Sequence, residues 1–146
     1  METFTSTRAK KDYGHKKGGN EMLYTTFIRL CDEAVKHKEP EEFIMSLSWQ
    51  EWMNKAANTD EIVKDLSLIF ELAGLDFPGL RKRLNVSMAK MSAMYHISLR
   101  TIENWEAKSS NVRNTKPYIM DFIRFTIFVR EKEGDDGYLG RIEEQD

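Results

Sequence analysis

"SMAKMSAMYHISLRTIENWE", Ser87 to Glu106, holds two serines eleven residues apart, each followed by a run with helical spacing. A serine hydroxyl accepts a hydrogen bond from a free amide of a first helical turn, so helices are predicted over Ser87–Tyr95 and Ser98–Glu106. "MYHI" between them supplies a turn of three to four residues, and Ala89 and Ala93 are small enough to let the helices approach closely. This is the pattern of a helix-turn-helix unit, whose second helix is free to enter a major groove. In that second helix Ile102 and Trp105, three apart, face inward, which leaves Leu99, Arg100, Glu103 and Asn104 on or near the outer face. An outward arginine can donate two hydrogen bonds to guanine, and an outward asparagine can pair both ways with adenine. Glu103 could accept from cytosine, exclude wrong sites or simply be solvated.

Upstream, Leu23, Phe27, Leu30, Cys31 and Ala34 recur at helical spacing, predicting an amphipathic helix from Glu21 to about Lys38. Pro40 opens a short helix through Met45, since its fixed φ suits a first turn. "SWQE" at Ser48–Glu51 and "NTDE" at Asn58–Glu61 have the form of capping boxes. The second begins a helix with Ile62, Leu66, Ile69, Phe70 and Ala73 on one side, ending at Gly74 as a left-handed C-cap. Asp76 and Pro78 start another helix through "GLRKRLN", and a last one runs from Pro117 to about Glu133. No strand pattern or repeat is visible, so the expected class is all-α, a helical bundle.

The 146 residues suffice for a core without disulfides, and Cys31, the single cysteine, has no partner within the chain. With no apolar leader and no stretch of roughly 20 apolar residues, the expectation is a reduced, cytoplasmic protein with no membrane contact. The net charge of −2 conceals strong segregation. Residues 1–20 hold five Lys/Arg against two acids, residues 21–75 five against eleven, residues 76–130 ten against four, and residues 131–146 two against seven. Four segments follow: a disordered basic tail (1–20), an acidic helical segment (21–75), a helix-turn-helix domain (76–133) and a flexible acidic tail (134–146). The block from Asp76 to Arg130 is basic enough to attract a polyanion.

"LRKRLNVSMAKMSAMYHISLRTIENWEA", Leu80–Ala107, resembles the Cro/C1-type helix-turn-helix family, also called XRE, and "RTIENWE" is the most specific part of the match. The resemblance implies a five-helix DNA-binding bundle, usually dimeric, with Leu99, Arg100 and Glu103 or Asn104 at base edges. It also implies phosphate contacts from Lys82, Ser87 and Ser98 and, after the second helix, from Lys108, Arg113 and Lys116. Two positions depart from the family pattern. Met88 stands where a phosphate-gripping glutamine is usual, and His96 replaces the glycine of the turn, which asks a histidine to adopt φ > 0.

The helix after Pro117 has two apolar sides. Tyr118, Phe122, Phe125 and Val129 project one way, Ile119, Met120, Ile123 and Ile127 another, with Asp121 and Arg124 between them on the wet side. A second stripe needs a second partner, either the acidic helices or another copy of the chain, and the four aromatic-side residues are the candidate dimer interface. Phe43, Trp49 and Trp52 are expected in the core, because an acidic segment is a poor platform for a polyanion. The three histidines lack metal-ligand spacing, and no catalytic grouping is visible, so no metal, cofactor or enzymatic role is expected. Two functions remain open. One is a dimeric sequence-specific repressor of phage or mobile-element type, acting on its own promoter and reading an inverted repeat in double-stranded DNA. The other is a protein-binding module whose working face is residues 21–75, as in antitoxins and anti-CRISPR proteins of phages and mobile elements that keep such a domain as scaffold.

Overall fold

The computed structural model describes residues 22–107 and 116–133, so both expected tails, and Lys108 and Arg113, lie outside the described residues. The elements are α1 (Tyr24–Ala34), α2 (Pro40–Ser46), a 3-10 turn (Glu51–Lys55), α3 (Thr59–Ala73), α4 (Phe77–Leu84), α5 (Met88–Tyr95), α6 (Leu99–Glu106) and α7 (Pro117–Glu133). The fold is all-α: no strand occurs among the described residues, and no helix among them is long and apolar enough to cross a membrane.

Local chemistry accounts for most boundaries. Asn58 Oδ1 accepts from the Glu61 amide at 2.9 Å, and Glu61 Oε1 reaches back to the Ala57 amide at 2.7 Å, one residue before the amide that a capping box would use. Asp76 Oδ1 likewise caps α4 through the Gly79 amide at 3.0 Å. The expected box at Ser48 does not form. Gln50 is the cap residue of the 3-10 turn, with its amide directed at Met53 Sδ (3.4 Å) and its side-chain oxygen held by Trp52 Nε1 (2.9 Å).

Gly74 is not left-handed (φ −87°, ψ −1°). Its conformational freedom is unneeded because the carbonyls at the end of α3 are satisfied from another helix: Arg124 Nε donates to the Leu72 carbonyl (2.9 Å) and Nη2 to the Leu75 carbonyl (2.8 Å). Arg124 is therefore half-buried packing, not a residue of the wet side, and its neighbour Asp121 lies 3.6 Å from Nη1. Burial raises the Asp121 carboxyl above the usual carboxylate range, partly opposed by Arg124.

One apolar cluster spans the chain, from Phe27, Leu30 and Phe43 through Leu66, Ile69 and Leu72 to Leu80, Met91, Ile102, Ile123 and Ile127. Helix α7 packs on α1, α3 and α4. The boundary at residue 75 thus marks a change of charge rather than a break in packing. The two stripes of α7 have different fates. Met120, Ile123 and Ile127 enter the core as expected, while Phe125 sits edge-on to Tyr24 and Phe27 (5.2 Å to each ring) and Phe128 lies 5.1 Å from Phe27. Val129 also packs on the cluster. Of the four expected interface residues only Tyr118 and Phe122 are exposed, at 66% and 52%. Phe125 and Val129 are partly buried, packed on α1 and the core, which leaves Tyr118 and Phe122 the most accessible of the four.

Cys31, buried on α1, illustrates the dryness of this layer: burial pushes its thiol up to about 12. At pH 8 its thiolate fraction is then about 1000-fold below that of an unperturbed thiol. The folded protein is expected to resist alkylation by iodoacetamide at pH 8 and to react once denaturant is added; prompt labelling of the native protein would contradict this packing. The native state keeps the thiol proton between about pH 9 and 12 while the unfolded chain loses it, so this group makes stability fall as pH rises through that window.

Candidate nucleic-acid interface

Helices α5 and α6 and the turn between them form as their capping residues dictate. Ser87 Oγ accepts from the Lys90 amide at 3.0 Å, and Ser98 Oγ from the Thr101 amide at 3.1 Å. His96 takes the left-handed conformation expected of it (φ 58°). The turn is closed around it by two bonds between Ser92 and Ile97: the Ile97 amide donates to the Ser92 carbonyl (3.2 Å), and the Ser92 hydroxyl donates to the Ile97 carbonyl (2.5 Å). A second left-handed residue, Asn85 (φ 61°), ends α4, with its amide shared between the Arg81 and Lys82 carbonyls. Asparagine tolerates this region better than most residues, so the end of α4 is written into the residue type at that position.

The inner side of α6 is fixed at three points. Ile102 is fully buried. Trp105, only partly buried, meets Phe77 edge-on at 5.2 Å. At the C-terminal end, Arg81 Nε and Nη2 donate to the two oxygens of Glu106 at 2.7 and 2.8 Å, while Arg81 Nη1 donates to the Val86 carbonyl at 3.0 Å. One guanidinium thus joins α4, the link before α5 and the end of α6. The Glu106 side chain is only 6% exposed, and its negative charge at a helix C-terminus is unfavourable by itself, so the arginine is what makes it tolerable there. Helix α5 is tied to α7: the single proton of the Thr126 hydroxyl goes to the Ile123 carbonyl, so Tyr95 donates to Thr126 Oγ1 at 2.6 Å.

With its inner side held, α6 turns Leu99, Arg100, Glu103 and Asn104 to solvent, all four exposed. Lys82 and Lys116 are exposed as well. The hydroxyls of Ser87 and Ser98 serve as caps; a hydroxyl that accepts from an amide still has a proton to donate, so Ser87 keeps that capacity. Met88, in the place of the usual glutamine, packs partly buried against the core.

Not every cation of the basic block reaches this surface. Arg81 is engaged by Glu106, Arg124 by the end of α3, and Arg83 by Glu131 (2.7 and 2.9 Å) and Glu71 (2.8 Å). These three hold the bundle together across α3, α4, α6 and α7. Two further cations that the sequence alone does not single out, Lys90 and Arg130, line a surface groove of about 400 Å³ with Asn85, Val86 and Ser87, at the N-terminus of α5. Arg130 is 40 or more residues from the others in sequence, so no local pattern could have placed it there. Among the described residues no group of acidic, histidine and cysteine side chains is arranged to hold a metal ion. Comparison of the chain with protein-family profiles, with curated proteins and with solved structures finds no match.

Proposed function

We propose that the chain is a sequence-specific DNA-binding regulator that reads duplex DNA through α6 and represses transcription by occluding a promoter, as the resemblance of Leu80–Ala107 to Cro/C1-type domains implies. The observation that carries this reading is the division of α6: Ile102 fully buried, and Leu99, Arg100, Glu103 and Asn104 exposed together. These side chains supply the donors, the acceptor and the apolar contact that a major groove presents partners for. Phosphate contacts come from Lys82, Lys116 and Ser87, with Lys90 and Arg130 beside the last. Two copies meet through Tyr118 and Phe122, setting two α6 helices about 34 Å apart to read an inverted repeat.

The direct test is a genomic-fragment pull-down with purified protein at two salt concentrations, which yields the preferred site. On that site Arg100→Ala is expected to lose about 1–3 kcal/mol while binding to random duplex barely changes. Lys116→Ala should instead weaken both equally and lower the magnitude of the salt slope by about 1. Equal losses for Arg100→Ala on specific and random DNA would reduce Arg100 to a phosphate ligand, and absence of any enriched fragment would remove the reading altogether.

A further inference from the structure

We propose that the segment from Glu39 to Glu51 is a docking surface for a basic, apolar-bearing helix of another protein. Trp49 was expected in the core, yet it is 64% exposed, and Met45 in the same segment is 84% exposed. Isolated apolar residues on a surface are ordinary. This pair differs in how it is held and in what surrounds it.

The segment is fastened from beneath. Phe43 is fully buried, Ser46 Oγ donates to the Phe43 carbonyl at 2.7 Å, and Trp52, also buried, grips Gln50. From the other side Trp49 Nε1 donates to Asn54 Oδ1 at 2.7 Å, which fixes the indole in one orientation while most of it faces water. An anchor already ordered in the free protein loses little entropy on binding, and tryptophan is the side chain most often dominant in protein interfaces. Met45 adds a flexible thioether that adapts to the shape it meets.

The charge around the pair selects the occupant. Residues 39–51 contain Glu39, Glu41, Glu42 and Glu51, all exposed, with Lys38 and Lys55 flanking the segment and His37 3.8 Å from Glu42, so acids outnumber cations here. A nucleic-acid backbone is repelled by such a surface. A second copy docking through the same patch would set these four carboxylates against the same four. A partner that offers lysines or arginines around one or two apolar side chains complements both the excess of carboxylates in this segment and its two exposed apolar residues. The patch belongs to α2, which packs on α1 and α3, and to the residues that follow it, so this inference does not rest on DNA binding by α6.

The test uses the full-length chain and two labelled synthetic 18-residue amphipathic helices, identical in their Leu/Phe face and bearing either lysines or glutamates on the other, followed by fluorescence anisotropy. The lysine peptide is expected to bind at least about tenfold tighter than the glutamate peptide, and Trp49→Ala and Met45→Ala are each expected to weaken it by about tenfold. Both side chains are solvent-facing, so melting temperature and DNA binding should match wild type in each variant; this separates failure of the docking surface from failure of the DNA reading. Equal affinity of wild type and both variants for the lysine peptide, or no preference between peptides, would overturn the proposal. Self-association of wild type that disappears in Trp49→Ala would overturn it too, by assigning the patch to a second copy.

Discussion

Phe125→Glu is expected to destabilise the monomer by about 3–5 kcal/mol, whereas Phe122→Glu, three residues earlier on α7, should leave the fold nearly unchanged and separate the proposed dimer. Both positions belong to the same aromatic stripe. Phe125 meets Tyr24 and Phe27 at 5.2 Å each, so glutamate there removes two edge-to-face contacts and places a carboxylate in an apolar layer. Phe122 is 52% exposed, with its ring 6.4 Å from Tyr95, and a charge at that position stays in water. Urea denaturation followed by sedimentation of each variant distinguishes the two effects. Wild-type stability for Phe125→Glu would mean that α1 does not cover α7, and an unchanged sedimentation coefficient for Phe122→Glu would mean that this aromatic edge joins nothing.

The second large effect is expected at Arg81. Alanine there leaves a buried carboxylate at the end of α6 without its bidentate partner and the Val86 carbonyl without a donor, a loss of about 2–4 kcal/mol. Because the same guanidinium sets the C-terminal end of α6, affinity for the preferred DNA site should fall further than for any single base-contact variant, although Arg81 itself is not at the outer face. Arg81→Lys is expected to restore little, since an ammonium cannot reproduce two parallel bonds and a third to a carbonyl. Double-mutant analysis with Glu106→Gln measures the coupling; additive losses would show that the pair does not act as a unit.

The elements of this fold were legible because their causes are short-range. Ser87, Ser98, Asn58 and Asp76 each cap with a side chain that reaches three residues along the chain, and Pro40 and Pro117 set φ at first turns. The outward set on α6 was legible for the same reason: once Ile102 points inward, a period of 3.6 residues fixes where Leu99, Arg100, Glu103 and Asn104 lie. His96 in the left-handed region was expected only from the resemblance, which places a glycine at that position of the turn.

What the sequence left open, or pointed to wrongly, depends on neighbours far away in the chain. Gly74 is spared a left-handed turn by Arg124, about 50 residues later, and the same bond takes Arg124 off the solvent side. Phe125 is drawn against the core because α1, about 100 residues earlier, lies beside it. Arg83 reads as a surface cation until Glu131 and Glu71 arrive from α7 and α3. Arg130 joins Ser87 only where α7 passes the start of α5. Trp49 was expected in the core, yet of the two neighbouring tryptophans only Trp52 is buried, and Trp49 is exposed with its indole bonded to Asn54. Periodicity along one helix decides which side chains share a side; only the packing of helices decides which side is covered, because burial is settled by the total area that other elements bring against it.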